Sequence, residues 1–451
     1  MKVAKFGGTS LASAEQVRKV GDIMASDPER RIVVVSAPGR RHKGDTKVTD
    51  LLIALAEQAL AAGAAEDALR AVVDRYAEIA RGLGLSASIV EAIEADLRGR
   101  LAGDRGHRER FVDTLKAAGE DNCAKLVAEY FRSRGLAASY VSPREAGLLV
   151  SDEFGNAQVL RESYDNLRLL RHRTGVVVFP GFFGYSPAGD VVTFPRGGSD
   201  ITGSVVAAGV KADLYENFTD VDSVFVASPS IVDHPRGIAE ITYREMRELS
   251  YAGFRVFHEE ALEPAFRAGI PVCIRNTNNP DAPGTRIVPE PGPRTVPVAG
   301  IASDDGFCSI YVSKYLMNRE IGFGRRLLQI VEEEGLSYEH TPSGIDSISV
   351  IVREKHFDWA RQARVVERIR AELAADDVSI ERGLALVMIV GEGMRHTVGL
   401  AARVTRALAT AGVNIEMINQ GSSEVSIMLG VKAEDNREAV KALYEEFFPS
   451  P

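Results

Sequence analysis

The 451-residue sequence predicts an α/β protein. Residues 1–290 read as a mainly parallel sheet covered on both faces by helices, and the rest as tandem βαββ modules of α+β type. Three observations predict this. Short apolar runs such as RIVVVS and GVVVFPGFFGY alternate with amphipathic or Ala/Leu-rich stretches, the pattern of a doubly covered parallel sheet. Residues 289–297, PEPGPRTVP, interrupt that pattern and read as a linker. Beyond the linker the chain repeats itself at a spacing of 77 positions.

Composition limits the function classes. Hydrophobic residues at 45% and charged residues at 26% are those of a soluble globular protein. The net charge of -9 argues against a general nucleic-acid binder, while leaving room for local cationic pockets. Cys123, Cys273 and Cys308 are too few and too scattered for a disulfide framework or a Cys-rich metal site, which fits a reduced, cytoplasmic protein. The start MKVAKFGG lacks the apolar core of a signal peptide, and no run approaches the ~20 apolar residues of a membrane span. The eight histidines show no ligand spacing, so no dedicated metal site is expected.

Taken in order, residues 3–6 read as a short buried strand carrying Lys5. Gly7 and Gly8 then permit a sharp turn and a close ligand approach. Thr9 and Ser10 are candidate N-caps for the following helix. A strand, a Gly-Gly turn and a helix start can make an anion site from backbone N–H groups. Alone, the same stretch also reads as an ordinary strand-to-helix turn. Residues 31–36 form the next strand, and residues 40–47 a polar, basic loop. Thr49 and Asp50 can cap a long helix, and helical patterning continues to Arg134. Breaks are expected near Gly82–Gly84 and at Gly103-Asp104, and Gly119-Glu120 is read as opening a new helix. Strands return at residues 137–142 and 175–185. A second Gly-Gly segment follows, Arg196-Gly197-Gly198-Ser199-Asp200, then a helix over 202–212 and a strand over 212–221. Two helical stretches at 241–253 and 258–269 and a strand at 271–277 complete this part.

After the linker, Gly322-Phe323-Gly324 lines up with Gly399-Leu400-Ala401, and Gly335-Leu336-Ser337 with Gly412-Val413-Asn414. Ser347 to Val350 lines up with Glu424 to Ile427, with no gap. Each copy reads as strand, Gly-started helix, strand, loop and strand. We divide the chain at 1–290, 298–380 and 381–451.

Two Gly-Gly turns, each beside a cation, suit two anionic substrates. In combination, Lys5 to Ser10, Arg196 to Asp200 and Thr219-Asp220-Val221 resemble the signature segments of aspartate kinase, a member of the amino acid kinase superfamily. The βαββ units resemble ACT modules. The resemblance covers both chain ends and implies the α/β/α sandwich of the amino acid kinase fold. It implies phosphorylation of the β-carboxylate of L-aspartate by ATP, with Mg²⁺ carried by the nucleotide and no tightly bound cofactor. The acceptor carboxylate is already a nucleophile at neutral pH, so no general base is required. The need is for cations and N–H groups that offset charge repulsion.

The resemblance also implies roles. Lys5 contacts the transferring phosphoryl group, and Gly7, Gly8 and Thr9 cradle it. Glu120 takes the substrate ammonium and Arg196 its α-carboxylate. Thr49, Phe182, Ser199 and Asp200 surround the substrate. Thr219, Asp220, Phe225 and Arg255 lie at the nucleotide. Met317, Gly322, Phe323 and Glu339 are effector candidates, with lysine, threonine or both as feedback inhibitors. Pairing of ACT modules across subunits implies a homodimer or homotetramer.

Departures from the family pattern fall on the nucleotide side. Phe225 replaces a tyrosine, Ser230 an arginine, and Glu259 a proline, while Arg255 keeps the charge of a lysine. The chain ends soon after the second repeat, so a fused homoserine dehydrogenase is not expected. Two alternatives stay open: another amino-acid carboxylate kinase of the superfamily, and a catalytically silent ACT sensor.

Overall fold

In the computed structural model, residues 1–62, 65–254, 259–292, 296–423 and 425–449 are described. The apolar runs of the first part form β1 (Lys2–Phe6), β2 (Arg30–Val35), β3 (Ala138–Tyr140), β4 (Val176–Pro180), β5 (Phe183–Tyr185), β6 (Val191–Thr193), β7 (Leu214–Thr219), β8 (Glu240–Thr242), β9 (Val272–Asn276) and β10 (Thr285–Val288). Eight of them join in the order β3-β4-β2-β1-β7-β9-β10-β8. Each adjacent pair is parallel except β9 with β10. Strands β5 and β6 form a separate antiparallel hairpin. Val3, Ala4 and Phe6 and the run Ile32, Val33, Val34 and Val35 are fully buried, as a sheet covered on both faces requires.

The helices of this part are α1 (Ala14–Ala25), α2 (Val48–Ala62), α3 (Glu66–Leu83), α4 (Ala87–Leu101), α5 (Arg108–Ser133), α6 (Pro143–Ala146), α7 (Glu162–Leu167), α8 (Gly198–Val210), α9 (Tyr243–Tyr251) and α10 (Glu259–Arg267). Three helix-start expectations change. Thr49 and Asp50 do not cap α2, which already begins at Val48, so both lie inside its first turn. Gly119-Glu120 does not open a helix, because α5 runs through it unbroken. A Cβ on Gly119 would lie 2.8 Å from the Cβ of Ala37, so this glycine serves close packing against the turn after β2. Thr9 and Ser10 do not cap α1. They lie in a 3-10 turn over Gly8–Leu11, and the Ser13 hydroxyl accepts the Gln16 N–H at the start of α1.

After the linker the strands are β11 (Gly300–Ser313), β12 (Tyr338–His340), β13 (Ser347–Arg353), β14 (Asp377–Val390), β15 (Met417–Asn419) and β16 (Ser426–Lys432). The helices are α11 (Phe323–Glu333), α12 (Trp359–Leu373), α13 (Leu400–Thr410) and α14 (Asn436–Phe447). One antiparallel sheet of order β12-β13-β11-β14-β16-β15 holds both repeats. The two central strands are each 14 residues long and carry a positive-φ glycine at equivalent places, Gly306 (φ 80) and Gly383 (φ 69). Beyond Gly306, β11 pairs with β13 and with the first half of β14; before it, β11 pairs with the second half of β14. The N-terminal half of β11 therefore completes the second module, and the linear division 298–380 and 381–451 does not separate the modules cleanly. The gapless repeat also needs correction. Phe307 pairs with Arg353, while Leu384, 77 positions on, pairs with Lys432, 79 positions on. Two residues are inserted in the second copy before its last strand.

The chain clusters into two units: Met1–Val224, Ile238–Tyr243 and Val256–Pro291 form one, and Phe225–Gly237, Arg244–Arg255 and Gly292–Pro451 the other. Two segments that precede residue 290 thus pack with the C-terminal modules.

Candidate active site

Strands β1, β2, β4 and β7 are parallel neighbours, so their carboxyl ends lie along one edge of the sheet, where ligands of such sheets bind. At that edge Gly7 donates its N–H to the Phe218 carbonyl (3.2 Å), and Gly8 accepts the Gly39 N–H (2.8 Å). A Cβ on Gly8 would lie 3.0 Å from the Ala37 carbonyl oxygen and 3.2 Å from Gly39 Cα, so a side chain here would press on main chain on two sides. The N–H groups of Gly8 and Thr9 have no backbone acceptor among the described residues. Gly39 is fixed from behind by Arg75, which donates to its carbonyl (2.6 Å) and to Asp45 (2.5 Å). Arg41 also pairs with Asp45 (2.9 Å), and the two guanidinium groups hold its carboxyl well below the usual carboxylate range.

Lys5 is 6% exposed, and its Nζ lies 2.5 Å from Asp200 Oδ1. A Cβ on Gly7 would sit 3.6 Å from that nitrogen, which places the ammonium beside the Gly-Gly turn. Asp200 reaches it from the first turn of α8, which begins after Gly197 in a left-handed conformation (φ 85). Asn217 donates to the same carboxylate oxygen at 2.6 Å. It is the partner of Lys5 in the β1–β7 register. Asn217 was missed by sequence reasoning; the signal was a buried polar residue inside the apolar strand LYENFT.

Glu120 lies on α5 and is 4% exposed. Burial pushes its carboxyl up to about 8, while the Ala37 N–H, the Ser199 hydroxyl and the Lys116 ammonium draw it partly back. Its Oε2 is buried without a hydrogen-bond partner, an arrangement suited to an arriving cation. Gly181 packs against Ser199, where a Cβ would meet the Ser199 Cβ at 2.8 Å. Phe182 follows with φ 75, its N–H bonded to Thr202 Oγ1 at 3.0 Å. Thr49 stands in the first turn of α2, next to Val48, whose side chain packs at Gly119 one position before Glu120. Arg196 is exposed and has no ion-pair partner among the described residues.

On the other side, Thr219 accepts the Thr277 N–H (2.9 Å), and its hydroxyl bonds Asp220 (3.2 Å). Thr277 also bonds Ser10, oxygen to oxygen at 2.7 Å. Phe225 belongs to the second unit, where it bridges Gly237. Arg255 lies outside the described residues.

The four effector candidates do not form one pocket. Met317 and Phe323 are buried in the core of the first module with Leu327, Ile330 and Val350. Gly322 is an exposed cap at the start of α11 with φ 81. Glu339 is held on β12 by Arg353 (3.1 Å) and by the Tyr251 hydroxyl. Among the described residues no helix is long and apolar enough to cross a membrane.

The profile of the Amino acid kinase family matches residues 1–276, and an ACT domain profile matches residues 387–447. Aspartokinase 3 of Bacillus subtilis is 62% identical over 448 residues, covering 99% of both chains. The crystal structure of Clostridium acetobutylicum aspartate kinase superposes with a TM-score of 0.89 at 37% identity, over 99% of this chain and 100% of that one. E. coli aspartokinase III has been solved with aspartate and ADP in an R-state and with lysine and aspartate in a T-state. Both match at a TM-score of 0.76 and 26% identity over 99% of this chain, covering 100% and 99% of theirs. The chain belongs to the amino acid kinase family and, within it, to the aspartokinases.

Proposed function

We propose that this edge of the sheet binds ATP and L-aspartate together and transfers the γ-phosphoryl group to the aspartate β-carboxylate. The observation that carries the reading is the pairing of opposite charges at the two Gly-Gly turns. The Lys5 ammonium is buried beside the first and held by Asp200 from the second, while Glu120 keeps an unpartnered oxygen near Ser199. Glu120 takes the substrate ammonium, Arg196 the α-carboxylate, and Ser199, Thr49 and Phe182 close around them. The β-carboxylate oxygen attacks the γ-phosphorus, a new oxygen–phosphorus bond forms, and the bond to ADP breaks with its electron pair on the ADP oxygen. Lys5 and the N–H groups of Gly8 and Thr9 stabilise the charge spread over the transferring group. Thr219 and Asp220 serve the nucleotide.

Among the described residues no three His, Cys, Asp or Glu side chains cluster as a metal site. Mg²⁺ held mainly by nucleotide oxygens and water needs only a carboxylate or two, for which Asp200 and Asp220 are at hand. Bound there it neutralises phosphate charge. The ACT modules take lysine, threonine or both as feedback effectors and pair copies of the chain into a homodimer or homotetramer in the cytoplasm. The lysine-bound relative supports that reading for lysine.

Acyl-phosphate formation from ATP, Mg²⁺ and L-aspartate, trapped with hydroxylamine, tests the reading. L-glutamate and N-acetylglutamate run beside it, with lysine and threonine added singly and together. Turnover with aspartate is expected. Turnover confined to another acid moves the substrate, and none with any acid favours a silent sensor.

A further inference from the structure

Lys116 is absent from every role given above, yet its ammonium links α5 to the hairpin that precedes Arg196 and to Phe182. It lies one helical turn before Glu120 on α5. Its side chain is 16% exposed, and its Nζ lies 3.0 Å from Asp113 Oδ1 and 2.8 Å from Thr193 Oγ1. The same ammonium sits 5.4 Å from the centre of the Phe182 ring. The other oxygen of Asp113 accepts the N–H groups of Thr193 and Gly155, each at 2.8 Å. Thr193 ends β6, three residues before Arg196. The next residue, Phe194, donates its N–H to the Phe182 carbonyl at 2.8 Å. The Phe182 ring in turn fills the space beside Gly198, where a Cβ would meet it at 2.7 Å.

Lys116 and Asp113 form a pair within α5, which carries Glu120, and both members bond Thr193, so two hydrogen bonds fasten this helix to the base of the hairpin that leads into Arg196. We propose that Lys116, with Asp113, is a positioning residue for the amino acid substrate, setting the separation between the Glu120 carboxylate and the Arg196 guanidinium. This rests on the assignment of those two groups to the substrate ammonium and α-carboxylate.

Arg196 is exposed with no ion-pair partner of its own, so its placement depends on the hairpin base. Phe182 holds a positive φ that only surrounding contacts maintain. Two of the three Lys116 donors are committed to Asp113 and Thr193, so the group acts through its neighbours rather than by leaving a free fork for substrate. Its charge also lowers the Glu120 carboxyl, favouring the ionised form that an ammonium needs.

The test uses the full chain with Lys116→Met, Lys116→Arg and Thr193→Val, with Glu120→Gln and Arg196→Met as references, all in the hydroxamate assay. Losing charge-assisted hydrogen bonds predicts a rise of about tenfold in KM for aspartate in Lys116→Met. KM for ATP should stay within about twofold, since only one substrate's subsite is disturbed. Lys116→Arg should recover most of the loss. Thr193→Val, which keeps the backbone bond to Asp113, should move the same parameter by less and carries the test if Lys116→Met does not fold. An unchanged KM for aspartate in Lys116→Met, or both KM values and kcat falling away together in the Lys116→Met and Thr193→Val variants, overturns the proposal. Glu120→Gln and Arg196→Met separate the levels. If they raise KM for aspartate and Lys116→Met does not, only the positioning role fails; if they leave it unchanged, the substrate assignment beneath it fails as well.

Discussion

Glu120 is fully enclosed on α5, and burial pushes its carboxyl up to about 8. Without ligand it is largely protonated at neutral pH, and an ammonium beside its unpartnered oxygen favours the ionised form. Aspartate binding should then release a proton near neutrality, and KM for aspartate should fall as pH rises from about 6.5 to 8.5. The sign for folding is opposite. The folded value lies above that of an unfolded carboxyl, so the folded state binds the extra proton, and the stability this confers at low pH is lost as pH rises through about 8. Calorimetry of aspartate binding in two buffers of different ionisation heat measures the proton count, and Glu120→Gln should abolish it. A KM profile flat across that range, with no proton released, would rule out Glu120 as the ammonium ligand. Sequence reasoning reached Glu120, Lys5 and Asp200 because each sits in a short motif. Asn217 and Lys116 were not legible in that way. A polar residue in an apolar strand or along a helix gains its meaning from a partner far along the chain, Asp200 for one and Thr193 for the other.

At the scale of elements, the turns that end β1 and β2 act as one piece. Gly8 and Gly39 lie backbone to backbone, and Arg75 ties Gly39 to Asp45. Gly8→Ala places a methyl group against main chain that cannot rotate aside, an overpacking that should cost about 1–3 kcal/mol of stability. The larger effect should be on turnover, because a cradle displaced by a fraction of an ångström misplaces the phosphoryl group; a fall of about a hundredfold in kcat is expected. Thermal melts beside the hydroxamate assay check it, and a Gly8→Ala enzyme with normal kcat would remove the turn from the cradle. Which elements were legible follows the same logic. Alternating apolar runs and helices revealed the parallel sheet, because buried strands and covering helices have different periods. Gly119 was read as a helix start because glycine usually interrupts helices, whereas here it lets α5 pass close to Ala37. The 77-residue repeat was visible in its glycines and helices. The two-residue insertion was not, because β13 and β16 are both apolar strands, and a slip of two preserves which face each side chain takes. The shared halves of β11 and β14 were hidden too, since strand pairing is not written in either segment alone.

At the scale of the whole molecule, the chain does not divide where its linker is. Five residues after Asp220, at Phe225, it enters the unit that contains the ACT modules, and it does so again from Arg244 to Arg255. The docking is specific. Ile301 donates its N–H to the Val226 carbonyl at 2.7 Å, Glu392 donates its N–H to Glu245 at 2.7 Å, and the Tyr251 hydroxyl bonds Glu339. Glu339, an expected effector ligand, thus contacts α9, a helix that precedes the linker. A rearrangement of the modules that moves β12 must therefore either carry α9 with it or break the Tyr251–Glu339 bond. The 225–237 segment follows β7 in the chain and α9 follows β8, so both are covalently continuous with strands of the sheet. Coupling of this kind is a free energy shared between two sites, and removing one contact that differs between states should change the coupling while leaving unliganded catalysis alone. Tyr251→Phe removes only the hydroxyl, and the side chain is 41% exposed, so the fold should tolerate it. The expected result is an unchanged KM for aspartate and for ATP without effector. The half-inhibitory concentration of lysine or threonine should shift about fivefold, the low end of typical coupling energies. Inhibition curves for the wild-type and Tyr251→Phe enzymes measure it. Superimposable curves would mean that the Glu339–Tyr251 contact is the same in both states and that the coupling runs instead through the main-chain bonds at Val226 and Glu392.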